Sequence, residues 1–301
     1  MITTPTVLIL GAGASVHLGY PLGAQLVERL CQLRIMNELK ELPQDWTEDE
    51  AKRFLTRLSR SGHYSIDAFL ETVPEQSDIG KFLISREFKR HENVDHLFPP
   101  HQSGWYQYLF NQLLDNGNAV GFERSRLNVV TFNYDRSLEA YLHEALMARF
   151  EMSGVDAQHL LSQIEIVHVH GSIGRYPDVP YSAETDATGL VEISKQIRII
   201  HEVDDQGEGF CAREFELAHR LLTEAERIFI LGFGFHPDNI RRLKFFTPEN
   251  TKGREIFCST AGMGTIETQQ LASRLQENGI RPEALNGTRC NAFFSHFAAL
   301  H

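Results

Sequence analysis

Five short runs of this 301-residue chain are apolar with little polar alternation, and they close on glycine, asparagine, histidine or other small polar residues. They are Thr6–Leu10 (TVLIL), Leu127–Phe132 (LNVVTF), Ile164–Val169 (IEIVHV), Ile228–Leu231 (IFIL) and Glu255–Cys258 (EIFC). Runs this short and this rich in Val, Ile and Phe suit strands buried on both faces, as in a parallel sheet covered by helices. Text of helical period lies between them. Pro21–Leu33 carries Leu22, Leu26 and Leu30 at four-residue steps with Pro in its first turn. Asp135–Arg149 follows the second run, Glu214–Ala225 precedes the fourth, and Ile266–Asn278 follows the fifth. Strand–helix alternation of this kind predicts a doubly wound, mostly parallel α/β sheet.

One interval breaks the alternation. Between Cys31 and Arg126 no buried strand is evident, only amphipathic text such as Thr47–Ser59, Ser77–Arg90 and Gly104–Leu114. The expectation is a single domain over residues 1–301 with a helical insertion at about 34–126. Gly174–Gly209 is rich in Asp, Glu, Gly and Pro and reads as a long loop with one short strand, Gln196–His201. A composition of 42% hydrophobic and 23% charged residues can supply a sizeable core. The net charge of −11 argues against a free-standing nucleic-acid binder. No window approaches ~18 consecutive apolar residues, and MITTPTVLILGAG lacks the basic start and cleavage pattern of a signal peptide. Cys31, Cys211, Cys258 and Cys290 form no CxxC pair, so neither a structural zinc nor a disulfide framework is expected. These features together predict a cytoplasmic protein.

Chemistry concentrates where the strands end. The first runs into Gly11-Ala12-Gly13-Ala14-Ser15, where glycines permit a tight turn and close approach to a phosphate. A dinucleotide fingerprint would need glycine at position 16, which is Val16, and an acidic residue ending a second strand ~20 positions on, where no such strand end is evident. A hydride-transferring dehydrogenase is thereby disfavoured. The continuation to Gly19-Tyr20-Pro21 keeps the loop long before the main helix, as suits a loop folding over a ligand. The second strand ends in Thr131-Phe132-Asn133-Tyr134-Asp135. Asn133 offers a donor and an acceptor and Asp135 a charge; equally, Asp135 could cap the next helix and Asn133 close a turn. The third ends in His168-Val169-His170-Gly171, where strand alternation predicts both imidazoles on one face. No third ligand accompanies them at convincing spacing, so no metal is expected; His168 reads as a satisfied core histidine and His170 as a base. The fourth ends in Gly232-Phe233-Gly234-Phe235, followed by Asn239, which could bond to ribose hydroxyls.

GAGAS…GYP, TFNYD, HVHG and LGFGF, in that order, resemble the NAD-binding core of the sirtuin family over residues 5 to about 262. The departures have meaning. The two CxxC pairs of zinc-binding sirtuin deacylases are missing, and Phe132 stands where they carry Gln. The GAGAS…LGYPLG loop, NYD and GFGF are similar to the zinc-free sirtuin-like proteins of bacterial defence, several of which hydrolyse NAD. That resemblance implies a Rossmann-like fold and a NAD⁺ hydrolase acting in anti-phage defence by NAD⁺ depletion. It implies Asn133 and His170 as the catalytic pair and Asp135 at the nicotinamide amide. Gly11, Ala12, Gly13 and Ser15 would lie around the phosphates and ribose, with Gly232, Gly234 and Asn239 on the adenosine side. NAD⁺ would be substrate, and a homo-oligomer or a partner defence protein would supply the trigger. A NAD-dependent protein deacylase and a non-catalytic NAD- or ADP-ribose-binding subunit are the competing readings.

Overall fold

The computed structural model describes residues 1–35, 39, 42–43, 46–99, 104–199, 212–280, 285–296 and 299–300. The elements run β1 Thr6–Leu10, α1 Gly23–Ile35, α2 Glu48–Arg60, α3 Ile66–Thr72, α4 Ser77–Lys89, α5 Val94–Leu97, α6 Trp105–Leu113, α7 Gly121–Arg124, β2 Leu127–Thr131 and α8 Ser137–Phe150. They continue as α9 Gly154–Leu161, β3 Glu165–His168, α10 Ala187–Ser194, α11 Ala212–Glu224, β4 Arg227–Leu231 and α12 Pro237–Arg242. The last are α13 Pro248–Thr251, β5 Glu255–Ser259, α14 Thr265–Glu277, β6 Leu285–Asn286 and α15 Cys290–His296.

The six strands form one sheet in the order β3-β2-β1-β4-β5-β6, with every pairing parallel. This is a Rossmann-like doubly wound fold. Its direction of winding reverses between β1 and β4, where an open α/β sheet leaves a crevice outside the strands' carboxyl ends. Register decides what meets there. Leu10 pairs with Thr131 on one side and Leu231 on the other, and Thr131 pairs with His168. The motifs that follow these four residues therefore leave the sheet at one level.

Side-chain alternation divides the core in two. Leu8, Leu10, Leu127, Val129, Phe229 and Leu231 face helices from the β1–β2 interval and α8. Val7, Ile9, Val130, Val167, Ile228 and Ile230 face α11, α12 and α14. The β1 residues are all buried, as an unalternated apolar run requires. Truncating a leucine or isoleucine in such a core to alanine costs about 2–5 kcal/mol.

Among the described residues the interval between β1 and β2 holds helices and no strand. Its helices start where sequence chemistry directs. Thr47 and Glu50 form a capping box, Glu50 N–H donating to Thr47 Oγ1 at 3.2 Å and Thr47 N–H to Glu50 Oε2 at 2.8 Å, and α2 then buries Ala51, Phe54, Leu55 and Leu58. A buried ion network ties the interval to the sheet. Arg136, fully buried, donates to Glu92 Oε1 from Nε at 3.0 Å and from Nη2 at 2.5 Å, and Lys89 Nζ lies 2.5 Å from Glu92 Oε2.

Over its described residues, 174–199, the long acidic loop is more ordered than its composition suggests. It contains α10, opened by Asp186, whose Oδ1 accepts from Gly189 N–H at 2.8 Å, and closed on buried Leu190 and Ile193. The strand expected at Gln196–His201 is not formed among its described residues. Ile197 makes a single antiparallel bridge to Gly171, and residues 200–201 lie outside the description. Helix α1 begins at Gly23, leaving Leu22 exposed, because two 3₁₀ turns, Ala12–Ala14 and Val16–Leu18, take up the chain after β1. Among the described residues no helix is long and apolar enough to cross a membrane.

Candidate functional site

At the β1–β4 reversal two glycine loops pack backbone against backbone. Gly11 N–H donates to Leu231 O at 3.0 Å and Gly13 N–H to Gly232 O at 2.9 Å. A Cβ built on Gly11 would lie 2.6 Å from Gly232 O, and one on Gly13 2.7 Å from Gly232 Cα. Gly232 itself has φ +59°, and its Cβ would fall 2.2 Å from Ala14 N. Three of the four glycines singled out in the sequence are thus required by loop–loop contact, independently of any ligand. Ala14 and Ser15 amides donate within the same turn, to Gly11 O and Ala12 O. Four donors of the loop are therefore spent on the protein rather than presented to an anion. Gly234 differs, since a Cβ there meets nothing within 4 Å. It borders a cavity of about 570 Å³ lined by Phe235, Phe246, Met263, Glu267 and Arg274.

Behind the β1 loop lies a continuous polar network. Asn133 N–H closes a turn onto Thr131 Oγ1 at 3.1 Å, and its Nδ2 donates to Gly11 O at 3.1 Å and Ser15 Oγ at 3.2 Å. Asp135 Oδ1 accepts from Ser137 N–H at 3.2 Å and from the Ser137 hydroxyl, and the Ser15 hydroxyl also bonds to this carboxylate. Tyr106, from α6, lies 2.7 Å from Ser137 Oγ. Burial pushes the Asp135 carboxyl up from its ordinary range, against the lowering effect of these hydroxyls. The turn at Asn133 is formed, whereas the N-cap of α8 is Arg136 and Asp135, one residue ahead of it, takes the first helix amide instead. Neither excludes a second use: the Asn133 donors are aimed at the β1 loop, so Oδ1 is the group it has to offer a ligand.

The two histidines part company. β3 ends at His168, and Val169-His170 already turn, so alternation does not extend to position 170. The expectation of one shared face is corrected accordingly. His168 turns toward α8, with Nδ1 2.9 Å from Asn133 O and Nε2 2.7 Å from Glu139 Oε1. His170 turns toward α11 and α12. Its ring meets Phe132 at 5.5 Å and Phe215 at 5.8 Å, both edge-on, and its side chain bonds to Asn239. Burial and the Arg242 guanidinium hold His170 below the usual imidazole range, with Asp67 and the Asn239 bond opposing. A neutral imidazole in an aromatic setting at neutral pH can accept a proton.

The structure thus brings Gly11, Ala12, Gly13, Ser15, Asn133, Asp135, His170, Gly232 and Gly234 to one edge of the sheet. Asn239 lies against His170 instead of standing free for ribose. Asn133, Asp135 and His170 are 8%, 6% and 8% exposed, so the edge is covered. Tyr20 of the GYP turn and Tyr181 meet hydroxyl to hydroxyl at 2.9 Å, near enough for the Asp135 charge to act on both phenols. Sequence reasoning missed Asp67, Tyr106, Glu139, Phe215 and Arg242. Asp67 accepts from the Tyr134 hydroxyl and so joins α3 to the TFNYD segment. All five are helix residues, and an acid or aromatic on a helix face carries no local mark of what it will touch. Among the described residues no three or more His, Cys, Asp or Glu gather as a metal site. Cys258 and Cys290 are buried free thiols and Cys31 is half-buried; Cys211 lies outside the described residues. No protein-family model and no curated protein matches this chain.

Proposed function

We propose that the chain is a sirtuin-like NAD⁺ hydrolase that cleaves the nicotinamide–ribose bond to nicotinamide and ADP-ribose. The observation that supports this reading is that Asn133, anchored on Gly11 and Ser15, and a desolvated His170 both stand at the sheet edge where two glycine loops interlock at the reversal point. Nicotinamide departs from NAD⁺ as a neutral molecule, so the site needs no acid for the leaving group, unlike ordinary glycosidases with two carboxylates. It needs a base for water or a ribose hydroxyl and a group to orient them. His170 supplies the first. Asn133 Oδ1 supplies the second. Asp135, already held by Ser15 and Ser137, acts by keeping Ser15 and Asn133 in register. The adenosine end lies along Gly234 toward the adjoining cavity.

Burial of Asn133 and His170 supports a resting state, as a NAD⁺-depleting protein requires before it is triggered. A homo-oligomer or partner chain that uncovers this edge would be the trigger; the place in anti-phage defence rests on the sequence resemblance. The same burial, with four loop amides already paired, favours a second reading, a NAD- or ADP-ribose-binding subunit without turnover. Incubating the full chain with NAD⁺ and following nicotinamide and ADP-ribose by chromatography, with and without an acylated lysine peptide, separates these from a deacylase. Release that needs no peptide and vanishes in Asn133→Ala and His170→Ala supports hydrolysis. Saturable NAD⁺ binding with no product under any triggering condition supports the binding subunit.

A further inference from the structure

His168 is bonded at both ring nitrogens to groups that can only accept. Nδ1 lies 2.9 Å from the main-chain carbonyl of Asn133, and Nε2 2.7 Å from Glu139 Oε1. A carbonyl oxygen brings no proton, so Nδ1 must carry one. One further proton lies between Nε2 and the carboxylate, and it belongs on the ring, because imidazole is ordinarily the stronger base by about 2 pKa units. The two side chains are 13% and 14% exposed, which keeps water from weakening the pair. The charged groups acting on this ring are Glu139 from α8 and Asp135 from the turn before it; they and the Asn133 carbonyl hold the imidazole up against the opposing effect of burial. The consequence falls on Asn133. Its main chain is held by Thr131 Oγ1 at the N–H and by His168 at the carbonyl, and its side chain is anchored on Gly11 O and Ser15 Oγ.

We propose that His168 is a positioning residue, an imidazolium locked by Glu139 that fixes the carbonyl of Asn133 and thereby aims the Asn133 side chain. Its bearing on catalysis rests on the hydrolase reading; the pairing itself does not. The test is a nitrogen-detected magnetic-resonance titration of the His168 ring in the full chain, with the Asn133 side-chain amide followed in parallel. In the wild type both ring nitrogens should be protonated at neutral pH. In Glu139→Gln, which keeps an acceptor and removes the charge, the ring should lose its proton at lower pH and the Asn133 amide should follow the same curve. NAD⁺ cleavage by that variant should fall about tenfold across the same interval, in kcat rather than KM. A His168 ring with one protonated nitrogen at neutral pH, or an Asn133 amide indifferent to its titration, overturns the proposal. So does a variant pH–rate profile superimposable on the wild type. If Glu139→Gln does not fold, the wild-type titration decides alone. A chain inert toward NAD⁺ that still shows the coupled titration defeats the hydrolase reading and leaves the positioning of Asn133 intact.

Discussion

The two halves of the sheet's carboxyl edge are built from different materials. The β1–β4 half is main chain, three glycines whose missing Cβ atoms let two loops touch. The β2–β3 half is side chain: Asn133 is held by the β1 loop, Asp135 by Ser137 at the start of α8, His168 by Glu139 of α8 and His170 by Asn239 and Arg242 of α12. Backbone contact leaves no room for substitution. Side-chain contact leaves the fold tolerant and the chemistry adjustable.

The largest effect should come from Gly232→Ala. Its Cβ would meet the Ala14 amide nitrogen at 2.2 Å in a left-handed backbone, so one of the two loops must give way. A loss of about 3–5 kcal/mol in urea denaturation is expected, beyond the ordinary range for a point substitution. Gly234→Ala, with open space around it, should stay within about 0.5 kcal/mol. Similar values for the two would dissolve the distinction between the halves.

That contrast was half legible beforehand. Glycines at 11, 13, 232 and 234 looked alike in the sequence, because a Gly-rich turn after a strand suits both a ligand and a neighbouring loop. Only the register that places Leu10 beside Leu231 separates them. The strands themselves were readable, since five residues without polar alternation leave few alternatives to a covered parallel strand. The two-residue strand β6, which joins the sheet beside β5, is too short for any period to show. Helix α10 was hidden in an acidic stretch, although Asp186 three residues ahead of Gly189 was a cap in plain view. Within the Asn133–Ser15–Asp135–Ser137–Tyr106 network only the Asp135–Ser137 link is local; the links from Ser15 to Asn133 and Asp135 have no sequence signature, because they join residues more than a hundred positions apart.

The buried network that ties the helical interval to the sheet comes next. Glu92 side-chain atoms are wholly covered, between Arg136 and Lys89. Glu92→Leu should strand two cations and cost about 3–5 kcal/mol. Glu92→Leu combined with Arg136→Met should recover part of that loss, since removing both partners of a buried pair is far gentler than removing one. Denaturation of the single and double variants measures the difference; equal losses would show that the pair acts through packing alone.

On the side-chain half, His170→Ala should lower NAD⁺ hydrolysis about 10²–10⁴-fold, the usual contribution of a general base. Asn133→Ala should cost a comparable factor through misplaced reactants. Both melting temperatures should stay near the wild type's compared with the fall in Gly232→Ala. Full activity in His170→Ala under triggering conditions would sink the mechanism even with NAD⁺ still bound.

The smallest effect is also the most diagnostic, because two histidines two residues apart should act on stability in opposite directions. His168 is held above its ordinary value in the folded chain, chiefly by Glu139 against burial. The folded state then binds more protons than the unfolded one, so its contribution is complete below the unfolded pKa, near 6.5, and is lost as pH rises through the higher folded value. His170 is held below its ordinary value by burial and Arg242. Its contribution is present above about 6.5 and is lost as pH falls through the lower folded value. His17, in the β1 loop, behaves as His170 does; burial takes it to about 4, so its contribution fades between about 6.5 and 4. Unfolding free energies of wild type, His168→Gln and His170→Gln across pH 5–9 give these contributions by subtraction. The His168 difference should shrink with rising pH and the His170 difference with falling pH. Parallel difference curves would mean that the two rings share one environment, and that the turn after His168 does not separate them as the structure places them.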